Sequence, residues 1–223
     1  MAQPVFEAII FDCDGVLVDT ERLTNRIWQR KLGSLGLHLQ DHELHHHFTG
    51  HTTEANLLRA SELLGGPLPD DFHPAMRDEF WEEINRDLPL IPHVIELLEA
   101  LLPVVPMAMA TNAARQDMAF KLERTGMDRY FSHTVCVDDV SRPKPAPDIY
   151  LFAADKLQIE PARCAVIEDS PAGIQAAVEA GMQVFAYSAD MIAEKQKAAG
   201  ALLTFDDMRQ LLPLLHQHGL ATP

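Results

Sequence analysis

Phe11-Asp12-Cys13-Asp14-Gly15-Val16-Leu17-Val18-Asp19-Thr20 decides how the rest of the chain is read. It follows Val5 to Ile10, an apolar run rich in β-branched residues, which predicts a buried strand. Residues two apart on an extended backbone point to one side, so Asp12 and Asp14 can face a common pocket. Two carboxylates that close repel each other, and such a site gains by holding a cation. Gly15 then permits a sharp turn or a close approach of a ligand to the backbone. A strand, paired acids and a glycine turn are how an open α/β sheet presents a site at its carboxyl edge.

Working outward, the seventy residues after Thr20 change texture. Ile27, Trp28, Leu32 and Leu35 recur at helical spacing, with Gly33 and Gly36 marking the end of that helix. Leu57, Leu58, Leu63 and Leu64 predict a second helix stopped by Gly65-Gly66-Pro67, and Phe80, Trp81, Ile84 and Leu88 a third, closed by Pro89. No strand is expected between Thr20 and Leu90. From Leu90 the pattern alternates. Helices are expected at 94–102, 114–125, 148–157, from Pro171 to about Ala180, and from Phe205 to Gln217. Strands are expected at 106–110, 134–137, 164–167 and 183–187, with an edge strand at Leu202 and Leu203. Alternation of this kind implies a parallel sheet. The expected fold is therefore α/β, a Rossmann-like parallel-sheet core (residues 1–19 and 90–223) with an inserted α-helical cap (residues 20–89).

Composition narrows the partners. The 223 residues include 18 basic and 33 acidic side chains, for a net charge of −15. That balance argues against nucleic acid or an anionic membrane, which need a basic footprint. Three widely spaced cysteines, Cys13, Cys136 and Cys164, form no disulfide or zinc pattern. With no leader-like segment and no membrane-length apolar run, a cytoplasmic protein is expected, and a monomer is the default expectation.

Polar residues cluster where the strands end: Asp12 and Asp14, then Thr111 and Asn112, then Lys144, then Glu168 and Asp169. Oxygen ligands without thiolate or imidazole call for Mg²⁺ rather than zinc. A lysine with hydroxyl and amide donors beside it suits phosphoryl oxygens, so Thr111, Asn112 and Lys144 are the candidate phosphate-binding residues. A carboxylate is ionised at neutral pH and can attack phosphorus without a neighbouring base.

Together FDCDGVLVDT, the later TN, the KPAPDIY segment and IEDSPAG resemble the haloacid dehalogenase superfamily, in its large phosphatase branch with a helical cap. The resemblance implies Asp12 as nucleophile, Asp14 as acid/base, Thr111 and Lys144 on the phosphate, and Asp169 as a metal ligand with Asp12. It also implies that the Asp14 main-chain carbonyl binds the metal, with Glu168 supporting it directly or through water. Asp14 separates the chain from dehalogenases and phosphonate-cleaving members, which lack an aspartate there. Within the phosphate branch it resembles the phosphogluconate phosphatases and the β-phosphoglucomutases. The mutases pair a cap histidine with a cap-loop arginine. This chain has Thr24 at the first position and Gly50-His51-Thr52-Thr53 in the loop, which favours hydrolysis over phosphomutase chemistry. The expected substrate is a small phosphorylated metabolite, a sugar phosphate or sugar-acid phosphate such as 6-phosphogluconate. Gly50, His51 and Thr52 are its expected contacts in a cap that closes and selects. His93 stands where many relatives have glycine. His42-Glu43-Leu44-His45-His46 matches the zinc-protease pattern H-E-x-x-H, but no third ligand is well placed, and these residues are expected to face solvent.

Overall fold

The structure, a computed structural model, describes residues 6–48, 53–189 and 191–221, except for the side chains of His45 and His46. The chain divides into two compact units, Met1–Val18 with Leu90–Pro223, and Asp19–Pro89.

The first unit is built on a six-stranded parallel sheet of order β3-β2-β1-β4-β5-β6. Its strands are β1 (Ala8–Phe11), β2 (Met107–Ala110), β3 (His133–Val135), β4 (Cys164–Glu168), β5 (Gln183–Tyr187) and β6 (Leu203–Phe205). β1, β2 and β4 read AIIF, MAMA and CAVIE and are buried throughout. Continuous burial is what a sheet covered on both faces requires, and it explains why these strands show no alternation. In register, Ile10 lies between Ala108 and Val166. Helices α5 (Val94–Leu101), α6 (Arg115–Thr125), α7 (Asp148–Leu157), α8 (Pro171–Glu179), α9 (Ala193–Ala198) and α10 (Met208–Gln217) complete the unit. Ile149, Tyr150 and Ala153 of α7 and Ile174 and Ala177 of α8 share one core with Ile10, Ala108 and Val166. The strand order reverses between β1 and β4, so their carboxyl ends flank the crevice where such sheets bind ligands.

The second unit contains helices α1 (Thr20–Ser34), α2 (Asp41–Phe48), α3 (Thr53–Leu64) and α4 (Phe72–Arg86). Asp19 caps α1 by accepting the Arg22 N–H at 3.1 Å. Trp28, 3% exposed, stacks on Phe48 with ring centroids 4.7 Å apart and tilts against Phe72. Among the described residues no helix is long and apolar enough to cross a membrane.

Several boundaries differ from the sequence reading. β1 starts three residues later than expected and runs through Phe11, while Phe6 pairs with Leu220 in an isolated bridge. β3 ends at Val135 because Val137–Asp139 closes a 3-10 turn, with the Asp139 carboxylate accepting the Cys136 N–H at 3.0 Å. In α3 the buried side chains are Asn56 and Ala60, whereas Leu58 is 64% exposed. The expected leucine face is therefore not the packed one. α9 lacks an apolar stripe, its one buried side chain being Gln196, and periodicity does not reveal it.

Candidate active site

Asp12 continues the line of β1, its N–H donating to the Ile167 carbonyl at 2.9 Å. This hydrogen bond carries the carboxylate into the crevice, where the residue is 6% exposed. The next residues fold back: the N–H groups of Leu17 and Val18 both donate to Cys13 O, and Gly15 N–H donates to Val18 O. Gly15 is needed twice. Its φ of +79° is the left-handed conformation, and a Cβ there would strike the Asp169 carboxylate. Cys13 turns the other way and is 1% exposed; burial pushes its thiol well above the ordinary pKa, so it is no nucleophile.

Lys144 Nζ, from the loop before α7, donates to Asp12 Oδ1 at 2.6 Å, to Glu168 Oε1 at 2.8 Å and to Ala110 O at 2.9 Å. Tyr150 lies beneath it, its ring centroid 4.8 Å from the ammonium. Burial works against charge on Lys144, but Asp12 and Glu168 more than offset this and hold its pKa well above the usual value. Burial also pushes the Asp12 pKa up to about 7; Lys144 opposes that rise, while Glu168 and Asp14 add to it.

Thr111, 2% exposed, is fixed by its N–H to Val135 O, while its Oγ1 accepts the Ala113 N–H at 3.1 Å. The Asn112 side chain meets the lysine loop: Nδ2 donates to Lys144 O at 3.2 Å and Oδ1 accepts the Lys144 N–H at 3.0 Å. The carboxamide clasps the lysine loop across the end of the sheet.

Glu168 is fully buried at the end of β4 and surrounded by donors. Oε1 accepts from Lys144 Nζ and the Tyr150 hydroxyl, and Oε2 from Asp169 N–H, Ser170 N–H and Ser170 Oγ at 2.8–3.0 Å. Five donors occupy the carboxylate, so its geometry is that of a support for the loop. Gly173 makes room for it, since a Cβ there would fall within the Glu168 carboxylate. Ser170 caps α8 through Gly173 N–H, and Pro171 fits the first turn.

Asp12, Glu168 and Asp169 each place a carboxylate oxygen within 4.8 Å of the others. An all-oxygen cluster beside a glycine turn fits a hard divalent cation such as Mg²⁺. Asp12, Glu168 and Asp169 are the side chains that could hold it.

Sequence reasoning missed Lys121. From α6, 5% exposed, its Nζ donates to both Asp14 oxygens at 2.6 Å. The signal was present: Lys121 falls at helical spacing with buried Met118 and Leu122, so it lies on the packed face of α6. Gln196, also missed, donates from Nε2 to Asp169 O at 2.7 Å and Tyr187 O at 2.6 Å, tying α9 to the acidic loop.

Of the cap residues, Gly50, His51 and Thr52 lie outside the described residues. The second unit has its own cavity of about 310 Å³, whose lining includes Thr24, Trp28, Asn56, His73 and Arg77. Asn56 Nδ2 donates to Phe48 O, while its buried Oδ1 has no partner among the described residues. In the H-E-x-x-H segment Glu43 caps α2 by accepting the Gln40 N–H at 2.8 Å, and His42 is exposed.

Comparison with known proteins agrees with this geometry. A family model described as haloacid dehalogenase-like hydrolase matches residues 6–181. The chain is 30% identical to the fructose-1-phosphate phosphatase of Escherichia coli, over 79% of this chain and 94% of that protein. It is 29% identical to the 6-phosphogluconate phosphatase of the same organism, over 82% and 83%. A hydrolase of this family from Deinococcus radiodurans, solved with bound phosphate and sodium, superposes with a TM-score of 0.88 at 32% identity, covering 99% of both chains. By motif order, sheet topology and these matches, the chain belongs to the haloacid dehalogenase-like hydrolases.

Proposed function

We propose that the protein is a Mg²⁺-dependent phosphatase acting on a small phosphorylated metabolite, a sugar phosphate or sugar-acid phosphate, with 6-phosphogluconate within that class. The observation that carries this reading is the pair of carboxylates with separate lysine partners, Asp12 with Lys144 and Asp14 with Lys121. Two acids in different surroundings suit two different tasks.

In this reading Asp12 attacks phosphorus with one carboxylate oxygen while the bond to the leaving oxygen breaks, forming an aspartyl-phosphate. Asp14 gives its proton to the departing alkoxide. It then takes a proton from the water that attacks the phosphoryl group, and Asp12 is released with inorganic phosphate. Lys144, together with donors at Thr111, offsets the charge of the transferring group. A Mg²⁺ held by Asp12, the Asp14 main-chain carbonyl and Asp169 would supply further charge neutralisation when bound. Glu168 and Asn112 act through Lys144, fixing its ammonium and its main chain respectively.

Phosphate release from an aryl phosphate and a panel of sugar and sugar-acid phosphates, with and without Mg²⁺, tests the function. Hydrolysis that requires Mg²⁺ and disappears in Asp12→Asn is expected. Full activity in Asp12→Asn would sink the mechanism, and isomerisation outpacing release would favour a phosphomutase.

A further inference from the structure

We propose that Lys121 is a positioning residue that holds the Asp14 carboxylate in place for both of its proton transfers; this rests on the phosphatase reading above. Asp14 follows the buried strand end by three residues and sits beside Gly15, and its side chain is 37% exposed. An aspartate side chain has several staggered rotamers open to it. An acid that must later act as a base at the same spot needs one orientation throughout.

Lys121 supplies that restraint. Its ammonium reaches both oxygens at 2.6 Å, which fixes the plane of the carboxylate as well as its position. The ammonium takes one lone pair on each oxygen, and the Asp14 side chain is 37% exposed. The lysine itself cannot wander. Its side chain is 6% exposed, and its helix is packed through Met118 and Leu122 on either side. Thr111, on the proposed phosphate site, accepts the Ala113 N–H just before this helix, so α6 and the phosphate site share one frame.

A purely structural ion pair is the competing explanation, and energetics separates the two. Removing one partner of an ion pair is strongly destabilising where it strands the other charge in the interior. The partner that loss of Lys121 leaves, Asp14, is partly exposed and stays solvated. The pair thus adds little to folding, while its geometry bears on proton transfer.

The test uses Lys121→Met, Asp14→Asn and the double variant, on an alkyl phosphate and an aryl phosphate. An aryl oxide leaves without a proton, whereas an alkoxide needs one. With kcat/KM reporting the steps through leaving-group departure, Lys121→Met should lower the alkyl-to-aryl ratio by about 10- to 100-fold. The melting temperature should stay within a few degrees. Adding Lys121→Met to Asp14→Asn should cost no more than about twofold further, because the two act as one unit. Lys121→Arg should recover part of the ratio. Equal loss on both esters, full additivity with Asp14→Asn, or an unfolded Lys121→Met with an unaltered ratio in Lys121→Arg would overturn the role. If the unaltered protein releases no phosphate from either ester, the phosphatase reading itself fails and takes this role with it.

Discussion

Asp12 is buried against Glu168 and kept charged only with help from Lys144, and this gives the metal-free protein a defined pH signature. Burial lifts its pKa from 3.8 to about 7 in the folded state. The folded form then holds the Asp12 proton more tightly than the unfolded chain does. Its contribution to stability is fully present below about pH 4 and is lost as pH rises through about 7. Asp12→Asn lacks that loss. In chelator, the melting temperature of the variant minus that of the unaltered protein should therefore rise between pH 5 and pH 8, by roughly 5 °C or more. Calorimetry at the two pH values reads it directly, and a difference independent of pH would contradict the burial of this carboxylate. Gly173 gives a second test at this scale. Gly173→Ala puts a methyl group where the Glu168 carboxylate lies, which must displace the Tyr150, Lys144 and Ser170 donors. A loss of roughly 2–4 kcal/mol in urea unfolding is expected, with a fall in activity. An unchanged denaturation midpoint would show that Glu168 is free to move.

Among the elements, α5 opens on a residue in an unusual conformation. His93, the N-terminal cap of α5, has φ 66° and ψ 10°, the left-handed region. A histidine pays about 1–2 kcal/mol there that glycine does not. This accounts for the glycine expected at that position in relatives. His93→Gly should raise the melting temperature by roughly 2 °C once the added chain entropy of glycine is subtracted. A lower melting temperature would point to a role for the imidazole, which makes a surface contact of 3.6 Å to Glu96. The elements also show what was legible beforehand. β1, β2 and β4 could be read because a covered parallel sheet needs short, wholly apolar runs, and their following residues announced the site. Lys121 and Asn112 could not be assigned partners from sequence. Lys121 meets Asp14 across 107 positions, and Asn112 meets Lys144 across 32. Those encounters depend on how helices and loops settle over the sheet, which hydropathy spacing does not encode. α3 misled for a related reason: its leucines stand half-buried or exposed while Asn56 faces inward.

For the whole molecule, the chain leaves its α/β unit at Val18 and returns at Leu90, and these two residues form an antiparallel bridge. The chemistry proposed here lies wholly in that unit, with its acids at the reversal of strand order. Mg²⁺ binding should therefore stabilise folding as well as support turnover. At a hundredfold excess over its dissociation constant it adds about 2.7 kcal/mol, or roughly 5–10 °C in melting temperature. Asp169→Asn should remove most of that rise, and a variant that responds like the unaltered protein would exclude Asp169 as a ligand. The central claim is that Asp12 becomes covalently phosphorylated during turnover. Rapid acid quench with a phosphate ester and Mg²⁺, followed by peptide mass spectrometry, tests it most directly. One phosphoryl group on the peptide containing Asp12, absent from Asp12→Asn, is the predicted result. Turnover with no phosphorylated peptide, or with the group on another residue, would contradict it.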